Sequence, residues 1–434
     1  MKLRIFPVLG VAALVLALSA CTDSDDTSST SSTTKITSFS LANDSVDGLS
    51  DTEWTIDNDS NVIYNVDSLP YLSRVDSLIP TIYGSTLSAI YINDTITYSG
   101  SDTIDCTNPV RIVTVATDEV STRTYTLKVN VHQVDPDLYH WKGLKSEIYS
   151  GISSVVEQKA LYFNSVLNLF VKTNSEIHLY TSEDGVVWSH STITGLPLNV
   201  DLSSVIVSGD VLLTVFEGEL YKSYNATSWS KAEAFSETIT KLLFSMNDKV
   251  YALGVVASDR VIFESADCVI WQNLGVVPAQ FPVSDFSAWV DFAPSGKARA
   301  YIVGGVNTLG NLLGTVWSTE NGSYWANLAA EKECFTPRKG VSVIQYSTGL
   351  IVFGGQDASG TVSDKQWMSP DYGLTWNEPT EKSEIPDLCI PRAFQSVVVD
   401  DENYIYIIGG KTSVTFISDV WRGRKNSSIP GFLD

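Results

Sequence analysis

Apolar and polar residues alternate strictly through the first third of the chain beyond its N-terminus. The segments KITSFSLA, NVIYNV, AIYINDTITYSG and VRIVTVATDEVSTRTYTLKVNVH put every second side chain on one face. That is the period of a half-buried strand. The last of them is a hairpin: RIVTVA, a turn at Thr117-Asp118-Glu119, then RTYTLKVNV. Short strands between Asp, Asn, Ser and Gly turns over residues 35–134 predict a β-sandwich. No ligand-binding constellation stands out in it, and VDPD at 134–137 reads as a boundary.

Residues 135–434 carry an internal repeat, the strongest signal in the chain. Five segments align: YTSEDGVVW (180–188), YKSYNATSW (221–229), FESADCVIW (263–271), WSTENGSYW (317–325) and WMSPDYGLTW (367–376). Each opens on an aromatic, has a hydroxyl side chain two residues on, then a turn with Asp or Asn, and closes on Trp. A sixth, WRGRKNSSI (421–429), has Ile429 where the Trp would stand. The physical reading is a repeated hairpin. Asp or Asn accepts backbone N–H bonds in the turn, Ser locks it, and Gly supplies positive φ. The Trp ring packs between neighbouring sheets. The residues given these structural roles are Ser182, Asp184, Trp188, Asp267, Trp271, Asn321, Trp325, Ser369, Asp371, Gly373 and Trp376.

SPDYGLTW (369–376) resembles the Asp-box of BNR-like propellers. The later repeats add YIVGG (301–305), IVFGG (351–355) and YIIGG (406–410), with a Pro-Arg upstream in FTPRKGVSVIQY and CIPRAFQSVVVD. That order resembles the kelch repeat, where the Gly pair ends the second strand. Counting Trp141, terminal-strand Trp residues stand at 141, 188, 229, 271, 325 and 376. Intervals of 41 to 54 residues suit four-stranded blades. The expectation is an all-β chain: an Ig-like β-sandwich, then a six-bladed β-propeller closed by an N-terminal strand that carries Trp141.

The N-terminus and the composition bear on location. Residues 1–21, MKLRIFPVLGVAALVLALSAC, have Lys2 and Arg4 before a short apolar run, the form of a signal peptide. Leu18-Ser19-Ala20-Cys21 resembles the bacterial lipobox, which implies lipidation at Cys21. Residues 22–34 are acidic and rich in Ser and Thr and read as a disordered tether. A net charge of −22 argues against nucleic acid and anionic lipid as partners. Membrane contact is expected only through the lipid. Cys106, Cys268, Cys334 and Cys389 form no C-x-x-C pair, so no zinc site is spelled out. Cys334 and Cys389 occupy equivalent repeat positions and are either paired or free thiols.

Catalytic chemistry is not written in the sequence. A sialidase, the enzyme class that shares the Asp-box, would bring three arginines, one of them in an Arg-Ile-Pro context, with a Tyr–Glu pair and an Asp acid. No Arg-Ile-Pro occurs. Two-carboxylate glycoside hydrolysis stays open, because the pair can come from any two blades. His178 and His190 flank the first hairpin outside any ligand-spaced set, and no G-x-S-x-G or phosphate loop appears. No metal or cofactor is expected. The loops leading into the inner strands hold Arg338, Lys339, Arg392 and Phe394. These either face a ligand at the central channel, with Phe286 and Trp289 nearby, or the arginines bond loop carbonyls as scaffold.

Taken whole, the chain resembles uncharacterised Bacteroidetes surface lipoproteins with an Ig-like module before a kelch/Asp-box propeller. The resemblance implies an outer-membrane lipoprotein, surface-exposed or facing the periplasm. Its expected function is non-catalytic binding of a glycan or a cell-surface protein. The alternative is an extracellular glycan hydrolase or lyase of sialidase-like type.

Overall fold

The computed structural model describes residues 30–232, 238–292, 295–328, 334–347 and 349–429. The expected signal peptide, the expected lipidation site Cys21 and the expected tether up to residue 29 lie outside the described residues. The chain divides into two compact units, Met1–His132 and Gln133–Asp434. The described residues are strands, turns and three short 3-10 segments. No helix among them is long and apolar enough to cross a membrane.

In the first unit a two-stranded sheet pairs Ser38–Ala42 with Ile79–Tyr83. A six-stranded sheet runs in the order Trp54–Asp57, Val62–Asn65, Thr122–Lys128, Val110–Ala116, Leu87–Ile92 and Ile96–Thr97. Val62–Asn65 lies parallel to Thr122–Lys128; the other pairs are antiparallel. The alternation seen in the sequence buries alternate residues in Ser38–Ala42, Val62–Asn65, Ile79–Tyr83 and Val110–Ala116. Ile63, Leu78, Ile112, Tyr125 and Leu127 form the centre of that core. The Tyr125 hydroxyl is satisfied inside it, donating to Asn58 Oδ1 at 2.5 Å and accepting from Ile36 N at 3.1 Å.

Among the described residues of the second unit six sheets follow one another along the chain, five of four strands and one of three. Their innermost strands are Val155–Phe163, Ile206–Ser208, Ile239–Met246, Ser287–Phe292, Ser342–Tyr346 and Ser396–Val399. Each innermost strand touches the next, and the last touches the first, so the sheets close a ring. Packing follows from this arrangement. A separate apolar core fills each gap between neighbours; one joins Leu167, Leu169 and Val171 of the first sheet to Tyr406, Ile408 and Val420 of the sixth. Both faces of the middle strands are therefore covered, and Val166–Thr173 is buried at nearly every position.

The outer edge of the sixth sheet is supplied from the start of the unit. Tyr139–Lys145 pairs with Phe416–Lys425, with Trp141 opposite Gly423. Between the third and fourth strands, five turns share one bonding scheme. In the first, Ser182 Oγ accepts from Gly185 N at 2.9 Å, and Asp184 Oδ1 accepts from Val186 N and Val187 N at 2.8 and 2.9 Å. Trp188 Nε1 donates to Gly185 O at 3.0 Å. The same contacts recur at Ser265-Asp267-Trp271, Thr319-Asn321-Trp325 and Ser369-Asp371-Trp376, and at Ser223-Asn225-Trp229 with the difference that the Ser223 hydroxyl accepts from Asn225 N at 3.4 Å. In the fifth the amide that bonds the Ser hydroxyl is that of Gly373, one residue further on.

Candidate functional site

The innermost strands line a central cavity of about 860 Å³. Its wall is built on a sixfold position marked by hydrogen bonds between neighbouring sheets. Ser396 Oγ accepts from Ala160 N at 2.7 Å, Ser204 Oγ from Leu242 N at 2.9 Å, and Ser287 Oγ from Val343 N at 3.0 Å. Ser342 Oγ donates to Gln395 O at 2.6 Å. In each case a serine at or just before an inner strand staples the backbone beside the equivalent residue of the neighbouring sheet. Following the series round the ring, the equivalents in the first and third sheets are Lys159 and Lys241. The two gaps that lack a staple of this kind are those that these lysines open.

Around the lysines lies a network of charges. Asp201 caps the 3-10 turn Leu202–Ser204 that leads into the second sheet. Ser203 N donates to both Asp201 Oδ1 and Glu157 Oε1, at 2.9 and 3.1 Å. Lys241 Nζ donates to Asp201 Oδ2 at 3.0 Å and to Ser203 Oγ. Lys172 Nζ pairs with Glu157 and reaches Val200 O at 2.7 Å. The network is thus closed, two carboxylates against two ammonium groups. Lys159 stands outside it: its ammonium makes no hydrogen bond or ion pair among the described residues.

The environments differ accordingly. Burial, then the like charge of Lys241, pushes Lys159 down to about 8, against the pull of Asp201 and Glu157. Burial raises the Glu157 carboxyl in spite of Lys172. At Asp201 burial also acts upward, but Lys241 and the Ser203 hydroxyl outweigh it and leave the carboxyl well below its ordinary range. Aromatic rings complete the wall. Lys241 Nζ stands 5.4 Å from the centre of Phe286, and Lys411 Nζ 5.5 Å from that of Phe416. Phe394 also lines the cavity, as does Asp285.

Of the four residues that the sequence proposes for a ligand, Phe394 is in this wall; Arg338, Lys339 and Arg392 are not. Arg338 is buried with Nε on Thr336 O at 2.9 Å and its guanidinium 4.3 Å from the Trp367 ring centre. Arg392 is buried too. It bonds Ile390 O and Gly409 O at 2.9 and 3.0 Å and pairs bidentately with Asp419 at 2.5 and 2.9 Å. Both guanidinium groups bond loop carbonyls, so the basic charge of the channel comes from Lys159, Lys241 and Lys411 instead. Lys339 is half-buried and exchanges backbone bonds with Gln356. Phe286 and Trp289 line the cavity.

His178 and His190, apart in the sequence, meet across adjacent strands with ring nitrogens 3.2 Å apart. No group of three or more His, Cys, Asp or Glu that could hold a metal occurs among the described residues. Cys106, Cys268, Cys334 and Cys389 are free thiols. The Ser-Asp-Trp turns dominate the repeat and leave these lysines inconspicuous in the sequence. Their signal is in the inner strands: QKAL and TKLL align with FSAW, VSVI and QSVV.

Sheets arranged in a closed ring around a channel define this part of the chain as a β-propeller. Residues 135–432 match the family described as the DUF6242 beta propeller domain, and residues 23–129 match the DUF6242 N-terminal domain. The chain belongs to this family. No curated protein matches it. Among solved structures it is similar to one titled "Structure of YjhT", with 13% identity and a TM-score of 0.49 over 63% of this chain and 96% of that one.

Proposed function

We propose that this is a non-catalytic binding protein held at the cell surface by a lipid on Cys21. An Ig-like spacer would carry a six-bladed, kelch-like propeller with Asp-box turns, as in Bacteroidetes outer-membrane lipoproteins. Its ligand site is the channel wall around Lys159 and Lys241, and its ligand is a glycan or a cell-surface protein. One observation carries the reading: a cavity of ligand size combines an uncommitted ammonium with Phe286, Phe394 and Phe416. Rings of this kind give a sugar an apolar face to rest on, while convergent polar groups fix its orientation.

A glycan hydrolase or lyase is the second reading. Glu157 and Asp201 favour it, because their environments push two neighbouring carboxyls in opposite directions. Against it, both accept from the single N–H of Ser203, so they sit side by side. Glycosidase carboxyls instead flank the scissile bond from two sides, about 5–9.5 Å apart. A glycan array probed with the purified chain, with mass analysis of the supernatant, separates the readings. Binding without turnover supports the first, turnover the second, and silence on every glycan leaves a protein ligand.

A further inference from the structure

We infer that the channel recognises its ligand by a carboxylate, received by the Lys159 ammonium beside Lys241. The inference rests on the channel-wall reading above and narrows it to acidic glycans. The warrant is charge balance inside the ring. Glu157 is taken by Lys172 and Asp201 by Lys241, which leaves Lys159 as the surplus positive charge on that side of the wall. Lys159 is half-buried in the cavity wall; a partly desolvated ammonium without a partner is costly, and a charge-assisted bond to an incoming anion relieves it.

The same balance selects the kind of anion. One surplus charge matches a monoanion, whereas a phosphate dianion would meet the Glu157 and Asp201 carboxylates as well. The sixfold position makes the point independently. Four of the six positions hold a stapling serine; Lys241 gives up that backbone bond for Asp201 and Ser203, whereas Lys159 gives it up for no hydrogen bond or ion pair among the described residues.

The groups whose charge acts on Lys159 are Lys241, Asp201 and Glu157, with Lys172 on the far side of Glu157. Carboxylate binding should therefore hold at neutral pH and weaken as the pH rises past about 8, where Lys159 loses its proton.

The test is NMR on the full chain with ¹³C-methylated lysines, the Lys159 signal being assigned by its loss in Lys159→Ser. Serine is the native choice at this ring position, so the variant is expected to fold. Lys241→Ser serves as the comparison. Acetate is expected to shift the Lys159 signal and raise its titration midpoint. D-Glucuronate is expected to bind about tenfold tighter than D-glucose, an advantage lost in Lys159→Ser. No response of Lys159 to acetate overturns the inference, whichever glycans bind. Tighter binding of inorganic phosphate than of acetate at pH 7 overturns the carboxylate preference. An acetate response in a protein that binds no glycan upholds the anion site and removes the glycan reading.

Discussion

Trp141 packs against Gly423 so closely that a Cβ on residue 423 would stand 2.3 Å from the indole ring. The two residues face each other across the strand pair that completes the sixth sheet. Gly423 is there for space, since its backbone is not in the left-handed region. Gly423→Ala is expected to push the ring off the strand and destabilise the second unit by about 1–3 kcal/mol, the usual cost of overpacking. Thermal unfolding followed by Trp fluorescence checks it. A pairing variant, Gly423→Ala with Trp141→Leu, should recover part of the loss.

Ser396 ties the sixth sheet to the first by accepting from Ala160 N. Ser396→Ala leaves that buried N–H without its partner, and the expected loss is about 1–3 kcal/mol. Urea unfolding should show a lower midpoint with an unchanged slope.

Arg392 and Asp419 form a bidentate pair with side chains only 4% and 15% exposed. Asp419 also accepts from Trp421 Nε1 at 3.0 Å. Removing the arginine strands a buried carboxylate, so Arg392→Met should cost about 3–5 kcal/mol. Replacing both, Arg392→Met with Asp419→Leu, should cost less than the single change. Ligand binding should be affected only through stability, which binding measured well below the melting temperature would show.

Acid should weaken the hairpin turns. Backbone N–H groups hold Asp184 and Asp267 below their ordinary carboxyl value, and at Asp371 the bonds from Thr375 win over burial. A lowered folded pKa contributes stability that is present above about pH 4 and lost as the pH falls through the folded value. Asn stands at the equivalent positions 225 and 321. The triple variant Asp184→Asn, Asp267→Asn, Asp371→Asn should therefore fold and show a smaller drop in urea midpoint between pH 5 and pH 3.

Lys159 reverses the sign. Its folded pKa of about 8 lies below the ordinary 10.5, so between those values the unfolded chain binds more protons. Stability should rise with pH across that window, and the full penalty applies below it. Lys159→Ser is expected to stabilise the protein at pH 7 by on the order of 2 kcal/mol. The gain should fade towards pH 10.5. A neutral-pH gain bought by losing a binding group is the usual mark of a functional residue.

Legibility in the sequence followed the range of the interactions. The turn from Ser182 to Trp188 is local; every bond in it falls within a few residues, so its spacing repeats visibly. The seam was legible through a gap, because Ile429 stands where the other hairpins have Trp and Trp141 has no hairpin of its own. The wall of the channel was not. The alignment of QKAL and TKLL with the serine-bearing strands is short and gains its meaning from the bonds that Ser396 and Ser204 make beside Lys159 and Lys241. Pro-Arg at 337–338 and 391–392 drew attention for the opposite reason. The repeat shows the arginines plainly, but which way a guanidinium turns depends on carbonyls such as Gly354 O and Gly409 O, contributed by another part of the loop system.

Tyr139–Lys145 and Phe416–Lys425 meet in one sheet although nearly the whole second unit lies between them. That sets an order of events during synthesis. The first strand of the unit to leave the ribosome has no partner until the last has been made, so the intervening sheets must wait with their end gap open. Contacts between distant parts of a chain form slowly and leave apolar edges exposed meanwhile. Loss of the last strand would therefore be expected to leave an open, aggregation-prone arc, whereas loss of a single turn would leave a ring that still closes.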